Sequence, residues 1–340
     1  MLQFKRVIST IDAHTEGEPL RIVTSGLPPI VGSTILEKRR YIKDNYDHLR
    51  KLLMLEPRGH SGMYGCIITP PTTDDGDFGV LFMHNEGYST MCGHGIIGVT
   101  KVAVEIGMIE ANDGEKIVRI DSPAGRVTAC AHIENQKVKK VSFENVPSFV
   151  YAEDVKIDVD GIGKVEVDIA FGGAFYVFVD ASKLGLKVVP EQMQRLVDVG
   201  MEIKYKVMDA MEIVHPEERE LQGIYGTIIT EAVETIEEKL VSKNVTIFAD
   251  AQIDRSPTGT GTSARVALLY RKGLLKPGMR LINKSIIDTV FEGWFEKTSM
   301  IGKINGVVPT VSGTAHIMGL NQLVLEEEDP LPEGFRITGG

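Results

Sequence analysis

Two distant glycine-rich segments carry the residue types best able to do chemistry in this chain. The first is Met91-Cys92-Gly93-His94-Gly95, and the second is Pro257-Thr258-Gly259-Thr260-Gly261. Aligning the two segments puts the thiol of Cys92 opposite the hydroxyl of Thr258. The alignment also pairs small residues, namely Gly93 with Gly259, Gly95 with Gly261, Gly98 with Ala264 and Gly107 with Gly273. This repeat predicts two related sites that differ in one reactive group.

Each segment is predicted to open a short, buried helix. Residues 95–106 are apolar or small on nearly every side, and residues 261–272 keep an apolar stretch that ends in basic residues; such helices are usually buried. Gly107 and Gly273 suit the position that follows a helix C-terminus. Because the N–H groups and partial positive charge of a helix start bind carboxylates, two starts that face a shared cleft predict a site for a small anion.

Cys92 is the candidate acid or base. The positive end of a helix stabilises a thiolate, so a thiol there ionises near neutral pH. The hydroxyl of Thr258 is too weak an acid and base to replace it without an activating neighbour. The alternative is that Cys92 is a small buried apolar residue, as most lone cysteines are. That interpretation is adopted for Cys66 and Cys130, each of which lies in an apolar, β-rich run.

Length and charge restrict the class of protein. The chain has 340 residues, of which 43% are apolar and 25% charged, and this fits two globular domains of ordinary size. The net charge of −10, with no compact Lys/Arg cluster, argues against binding to nucleic acid or to an anionic membrane. We therefore expect a small-molecule partner.

Neither a membrane span nor a secretory signal is predicted. No apolar run approaches the length of a bilayer span, and no apolar segment follows the basic pair Lys5-Arg6. The three cysteines are odd in number and widely spaced, which fits neither a disulfide framework nor a zinc site. We expect a cytoplasmic protein with free thiols.

The chain is predicted to form an α+β fold with two similar halves. Short β-rich runs dominate, and Asn135-Gln136 suits a hairpin turn between two of them. One outer helix is predicted from near Ser33 to before Pro57, and another after Pro190. The six clearest runs are residues 7–10, 66–69, 80–84, 117–121, 127–132 and 139–143. Each half would wrap its strands around one of the two buried helices.

The motifs resemble those of a known family. Met91–Gly95 and the longer segment Asp254-Arg255-Ser256-Pro257-Thr258-Gly259-Thr260-Gly261-Thr262 resemble the two signature motifs of the proline racemase superfamily, which includes hydroxyproline 2-epimerases and trans-3-hydroxy-L-proline dehydratases. Supporting matches lie at residues 11–18, 56–60, 121–125 and 171–176. The resemblance implies a fold like that of diaminopimelate epimerase, in which two pseudo-symmetric halves, each a barrel-like sheet around a central helix, enclose an active-site cleft.

The expected boundaries follow from this architecture. The N-terminal half would comprise residues 1–148, and the C-terminal half residues 149–324. Residues 325–340 would return to the N-terminal half. The active site would lie in the cleft between the halves, and the chain would form a homodimer as its relatives do.

The resemblance also implies a reaction. Epimerases and racemases of this family carry a cysteine in each motif, one on each face of the substrate α-carbon. Here the second cysteine is replaced by Thr258, a pattern that resembles the dehydratases. The implied reaction is dehydration of trans-3-hydroxy-L-proline to 1-pyrroline-2-carboxylate by a single thiol, Cys92, with Thr258 lining the far face of the substrate.

Further site residues are implied by the same resemblance. Backbone N–H groups of Gly93, His94, Gly259 and Thr260 would hold the substrate carboxylate. His94 and Asp254 would contact the ring nitrogen, and Ser61 and Tyr64 of the segment 60–64 would contribute to the ring pocket. No cofactor and no metal are implied. His14 and Glu16 share a strand face but lack a third ligand of recognisable spacing, so they are interpreted as structural.

The amino-acid sequence leaves two other functions open. One is 4-hydroxyproline epimerase or proline racemase activity, with Thr258 or a water molecule supplying the second proton. The other is a non-catalytic amino-acid binding protein that retains the cleft.

Overall fold

Four α-helices and nineteen β-strands form the part of the chain that the structure, a computed structural model, describes, residues 4–337. The helices are α1 Ile35–Met54, α2 Gly93–Glu105, α3 Met193–Ala210 and α4 Gly259–Arg271. The strands up to the middle of the chain are β1 Phe4–Thr15, β2 Glu18–Ser25, β3 Tyr64–Thr69, β4 Phe78–His84, β5 Tyr88–Ser89, β6 Gly114–Ser122, β7 Gly125–Glu134, β8 Lys137–Glu144, β9 Phe149–Val159 and β10 Gly163–Phe171. The others are β11 Phe175–Asp180, β12 Ile224–Thr230, β13 Glu234–Ile236, β14 Lys239–Phe248, β15 Gln252–Asp254, β16 Leu281–Lys284, β17 Val290–Ile301, β18 Ile304–Gly313 and β19 Ala315–Glu326.

Local signals account for most of these elements. Thr34 caps α1, because its hydroxyl accepts from Glu37 N while the Glu37 carboxylate accepts from Thr34 N. The predicted hairpin turn between β7 and β8 is confirmed, with φ of 53° at Asn135 and 60° at Gln136. The six predicted strands and both outer helices are confirmed as well. Among the described residues, no helix is long and apolar enough to cross a membrane.

Two units of the chain repeat the same topology. In the first unit, α1 connects the parallel pair β2 and β3, and α2 connects the parallel pair β4 and β6. In the second unit, α3 connects the parallel pair β11 and β12, and α4 follows β14 into its parallel neighbour β16. Each inner helix is preceded by a short strand, β5 or β15, antiparallel to the strand before it. The predicted pair of similar α+β halves is confirmed by this order.

In the first unit the inner helix is buried. Every residue of α2 from Gly93 to Ala103 is buried, and the helix contacts β1, β2, β7 and β19. A Cβ at Gly98 would lie 2.7 Å from Leu20 Cδ2, so the Leu20 side chain would have to shift to admit it. The outer helix α1 packs on β4 and completes an apolar core that includes Ile42, Leu53 and Leu81. Strands thus enclose α2 and hold its N-terminus in place.

In the second unit α4 occupies the equivalent position. It contacts β9, β10, β11, β17 and β18, and its residues Ala264 and Leu268 pack with Tyr176 and Phe178 of β11. The outer helix α3 packs on β12, β9 and β14 through Leu196, Ile203 and other apolar residues. Both units therefore place one helix outside and one inside their strands.

The division of the chain differs from the expected boundaries. The first unit comprises residues 1–141 and 314–340, and the second comprises residues 142–313, instead of changing over after 148 and 324. The chain returns earlier because β19 pairs with β1 along its whole length, from Ala315 opposite Thr15 to Glu326 opposite Phe4. Arg58 then forms an ion pair with Asp329, and Phe335 N donates to Glu56 O at 2.8 Å. Residues 338–340 of the predicted returning segment lie outside the described residues.

The motif at residues 121–125 has a structural role in the first unit. The carboxylate of Asp121, which is 3% exposed, accepts from Thr72 N at 2.7 Å, Thr73 N at 3.0 Å and Arg126 Nε at 2.9 Å. Burial opposes its ionisation, but these hydrogen bonds outweigh burial and lower the pKa of Asp121. The buried carboxylate thus fastens the loop after β3 to β6.

The close approach of β10 to α4 makes a first prediction. A Cβ at Gly172 would lie 2.2 Å from Thr260 O and 2.5 Å from Ala264 N, and helix backbone does not yield cheaply. Gly172→Ala should lower the free energy of unfolding by about 1–3 kcal/mol, measured by urea denaturation. Gly87→Ala is the control, because a Cβ there meets nothing within 4 Å. Equal stability of the two variants would contradict this account.

Asp121 makes a prediction about pH. Because its pKa is lowered on folding, its stabilisation is present above the unfolded pKa of about 3.9 and is lost as pH falls through the lower folded pKa. Asp121→Asn should therefore reduce the free energy of unfolding at neutral pH and flatten its decline on acidification. Urea denaturation over the acid range checks this, with the exposed Asp44→Asn as control. A variant that declines as steeply as the wild type would refute it.

Candidate active site

Cys92 is the N-cap residue of α2. Its φ of −149° and ψ of 110° are ordinary extended values, and its sulfur accepts from Gly95 N at 3.2 Å. The residue is 5% exposed. A sulfur that accepts a backbone N–H at the positive end of a helix is stabilised as a thiolate. The local backbone therefore places the sulfur of Cys92 where a helix start and an N–H group face it.

His94 lies beside this sulfur. Its Nδ1 is 3.2 Å from Cys92 Sγ, and its backbone carbonyl accepts from Thr15 Oγ1 at 2.8 Å. The ring of Tyr64 packs edge-on against the His94 ring with centroids 4.8 Å apart. Tyr64 in turn donates to Ser89 Oγ at 2.6 Å. His94 is thus held by Thr15 and Tyr64 while it contacts the thiol.

The segment 60–64 is positioned by a residue that sequence reasoning missed. The side chain of Asn85, 4% exposed, accepts from Gly62 N at 2.8 Å and donates to His60 O and Met54 O. Tyr64 is brought to His94 by this arrangement. Ser61 is exposed, and its carbonyl oxygen lies 2.8 Å from His60 Nδ1. Within the first unit, Tyr64 therefore contacts His94 beside Cys92, whereas the side chain of Ser61 is exposed.

Thr258 is the N-cap residue of α4, but its geometry differs from that of Cys92. Its φ is 66° and its ψ 109°, and its side chain makes no capping hydrogen bond. A positive φ is rare for a β-branched residue. The hydroxyl donates instead to Thr246 Oγ1 on β14, at 2.7 Å. The two residues that align in sequence therefore direct their reactive atoms to different partners.

A ladder of hydrogen bonds fixes the unusual backbone at Thr258. Asp254 Oδ1 accepts from Ser256 N at 2.8 Å, and Ser256 Oγ accepts from Thr258 N at 3.1 Å. Thr258 O then accepts from Thr262 N at 2.7 Å. The side chains at 254 and 256 thus each hold the backbone N–H two positions further along the loop, and the Thr258 carbonyl accepts the first bond of the helix. Asp254 is 4% exposed and anchors this turn from the end of β15.

The first turns of both helices present backbone N–H groups. The first intrahelical bonds run from Ile96 N to Cys92 O and from Thr262 N to Thr258 O, so the N–H groups of Gly93, Gly259 and their neighbours point along the axis beyond the helix. The side chain of Thr260 is hydrogen-bonded to Tyr176 OH at 2.6 Å. Each unit therefore presents backbone N–H groups at the start of its inner helix, the feature on which the predicted anion site rests.

The other candidate residues receive structural explanations. Cys66 is fully buried, and burial raises its pKa, so it stays protonated. Burial and the neighbouring His316, whose ring centroid is 5.2 Å away, lower the pKa of His14. Glu16 accepts from Thr314 N and Oγ1. The structural interpretation of His14 and Glu16 therefore agrees with their contacts.

One cluster of potential metal ligands was not anticipated. Glu115, Cys130 and His132 bring a carboxylate, a thiol and an imidazole within 4.8 Å of one another on β6 and β7. Cys130 is only half-buried, which corrects its interpretation as a residue of the apolar interior. Its pKa is raised by burial and by Glu115. The donors are of types that bind zinc, but they belong to neither motif.

Comparisons with known proteins agree with the motifs. A profile of the proline racemase family matches residues 10–336. The chain is 51% identical over 334 residues to a trans-3-hydroxy-L-proline dehydratase of Bacillus thuringiensis subsp. konkukian, with 98% of this chain and 99% of the relative covered. It is 43% identical over 336 residues to a 3-hydroxyproline 2-epimerase of Burkholderia multivorans, with 99% and 100% covered.

Solved structures include a relative with a bound imino acid. A hydroxyproline epimerase of Agrobacterium vitis with bound trans-4-hydroxy-L-proline has a TM-score of 0.91 to this chain at 30% identity, with 99% of this chain and 97% of that one covered. The family profile and the alignments with these relatives each cover nearly the whole sequence. This chain belongs to the proline racemase family.

Proposed function

We propose that this protein dehydrates trans-3-hydroxy-L-proline to 1-pyrroline-2-carboxylate. The observation that carries the proposal is the unequal pair of N-cap residues. Cys92 holds a sulfur supported by Gly95 N and next to His94, whereas Thr258 holds a hydroxyl that donates to Thr246. One residue is prepared to exchange protons, and its counterpart is not. Several relatives with this name, at 44–51% identity over nearly the full chain, support the same function.

The stereochemistry of the substrate requires only one base. In trans-3-hydroxy-L-proline the hydroxyl lies on the ring face opposite the carboxylate, and therefore on the same face as the α-hydrogen. Loss of water is then a syn elimination. The Cys92 thiolate takes the α-proton, the C3–O bond breaks, and the new thiol returns the proton to the departing hydroxyl as water leaves. The enzyme ends in its starting protonation state.

Electrostatic support comes from the two helix starts. The N–H groups of Gly93 and His94, together with those of Gly259 and Thr260, bind the substrate carboxylate and stabilise the charge that builds on it as the α-proton leaves. Under this proposal both motifs contribute to the binding of one substrate, with Cys92 on its reacting face and Thr258 on the other. The partial positive charge of each helix adds to this stabilisation.

We assign the contacts with the ring nitrogen of the substrate to two polar side chains, those of Asp254 and His94. The Asp254 carboxylate favours the charged ammonium form, which acidifies the neighbouring C–H bond. His94 lies on the reacting side because of its contact with Cys92 Sγ. Tyr64 packs against His94 and closes this side of the ring pocket, with Ser61 at its rim. The product of elimination is an enamine, which tautomerises to 1-pyrroline-2-carboxylate.

The proposal also covers the need for a cofactor, the cellular compartment and the oligomeric state. The elimination moves one proton and one hydroxide, so the thiol and the backbone N–H groups suffice without a cofactor. Cysteines that form no disulfide, here at positions 66, 92 and 130, are typical of the reducing cytoplasm. We assign a homodimer, which size-exclusion chromatography with light scattering tests.

Inversion at the α-carbon is the second candidate. The relative named 3-hydroxyproline 2-epimerase, at 43% identity over nearly the full chain, is the observation that favours it. Epimerisation requires a proton from the face opposite Cys92, which Thr258 or a water molecule would have to supply. Inversion of 4-hydroxyproline or of proline belongs to the same alternative, because neither has a 3-hydroxyl group to lose.

A screen of the purified protein separates these functions. Proline and the stereoisomers of 3- and 4-hydroxyproline are incubated in D2O. A pyrroline that reacts with an aldehyde reagent identifies dehydration, and α-deuterium in the inverted amino acid identifies epimerisation. Tight binding of pyrrole-2-carboxylate with no turnover of any isomer would instead indicate a binding protein.

Replacing the thiol tests its role directly. Cys92→Ser should lower kcat for dehydration by about a hundredfold to ten-thousandfold, because a serine hydroxyl is a far weaker acid and base. Pyrroline formation is the measurement. Cys130→Ser is the matched control, and it should retain wild-type activity. Dehydration by Cys92→Ser at the wild-type rate would refute the proposed mechanism.

Restoring a second thiol should restore inversion. Thr258→Cys should raise deuterium incorporation into inverted 3-hydroxyproline by about a hundredfold over the wild-type background, as expected for a positioned acid. Chiral chromatography with mass spectrometry measures it. A variant that binds pyrrole-2-carboxylate yet yields no inverted product would contradict the two-face interpretation.

A further inference from the structure

We infer that Thr246 is a specificity-determining residue, which accepts the only side-chain proton of Thr258 and thereby favours loss of water over return of a proton to the substrate. The inference rests on the proposed function. It concerns a residue outside both motifs, 12 positions before Thr258 in the chain. It assigns the outcome of the reaction to a pair of hydroxyl groups and not to Thr258 alone.

Thr246 is a fixed acceptor. It is fully buried, with 0% exposure, in the middle of three neighbouring strands. On one side it lies opposite Ile228 of β12, and on the other opposite Asp254 of β15. Because β14 is hydrogen-bonded to a strand on each side, the side chain of Thr246 has little freedom to move away from Thr258. The 2.7 Å separation of the two hydroxyl oxygens is that of an ordinary O–H···O hydrogen bond.

The backbone of Thr258 explains why its hydroxyl takes this partner. Cys92, with φ of −149°, turns its sulfur toward its own helix and caps Gly95 N. Thr258, with φ of 66°, makes no such cap. Ser256 Oγ and Thr262 N hold this conformation through the Thr258 N–H and carbonyl groups. The direction of the hydroxyl toward Thr246 is therefore built into the loop.

The proton of Thr258 matters because of relative acidity. An alcohol is a weak acid, but it is a stronger acid than the α-C–H bond of an amino acid. An alcohol proton aimed at the α-carbanion would therefore be transferred to it, and this transfer would invert the centre. A hydroxyl has one proton and two lone pairs. While Thr258 donates to Thr246, it offers the substrate lone pairs only, so the carbanion expels its 3-hydroxyl, protonated by Cys92, as water instead of regaining a proton at the α-carbon.

A set of four variants tests the inference. Thr246→Val removes the acceptor with little change in shape, and Thr246→Ser keeps it. Thr258→Val removes the proton, and Thr246→Val/Thr258→Val removes both groups. Each variant is incubated with trans-3-hydroxy-L-proline in D2O. The measured quantity is the ratio of inverted, α-deuterated 3-hydroxyproline to trapped pyrroline, with thermal unfolding to establish that each variant is folded.

The expected results differ among the variants. Thr246→Val should raise the ratio about fivefold to tenfold above wild type. A factor of this size corresponds to the net free energy of an ordinary hydrogen bond. Thr246→Ser and Thr258→Val should keep the wild-type ratio. The double variant should lose the excess, because the proton comes from Thr258.

Two results would overturn the inference. One is a folded Thr246→Val protein with an unchanged ratio, and the other is an excess that persists in the double variant, since its proton would then come from water. Failure of the proposed function gives a different result, because the wild-type protein itself would then form no pyrroline.

Discussion

The N-terminal turn of a buried helix is the constraint on which each unit depends. Such a turn leaves its first N–H groups without partners inside the helix, while the rest of the helix is surrounded by strands. Surrounding strands leave room for little beyond hydrogen at the closest contacts, as at Gly98 against Leu20 and at Gly172 against the first turn of α4. The glycine-rich character of the motifs and of the segments that pack on them follows from this geometry. The same requirement explains why both units repeat two parallel strand–helix–strand connections.

Within this common frame, backbone conformation distinguishes the two motif residues. Cys92 and Thr258 occupy equivalent N-cap positions, yet their φ values are −149° and 66°. The first conformation lets a side chain cap its own helix, and the second turns the side chain toward a neighbouring strand. The chemical difference between a thiol and a hydroxyl is thereby reinforced by a difference in direction. A reaction that needs an acid and base on one face only is consistent with both differences.

The sequence predicts the elements better than their connections. Apolar periodicity and the flanking Pro57 and Pro190 located α1 and α3, and the aligned glycines identified the repeat, because these signals lie within a few residues of the feature they predict. The partner of Thr258 was out of reach, since Thr246 lies in an apolar strand run with no local mark of a function. The positive φ at Thr258 was equally hidden, because threonine disfavours it. The residue at which the chain re-enters the first unit, 314, was also mispredicted. The pairing of β1 with β19 leaves no signal in the neighbouring sequence. In addition, exposed apolar residues on β19, such as Leu320, resemble those of an interior strand.

That pairing has a consequence for biosynthesis. On the ribosome, β1 emerges before the other strands and its partner β19 after them, so the first unit acquires one of its strands only after the second unit has been made. The second unit is continuous, from residue 142 to 313, and all its strands are available before β19 is made. The cysteine-bearing half of the enzyme is therefore the last to mature, and the nascent chain carries a complete threonine-bearing half before it carries a complete thiol site.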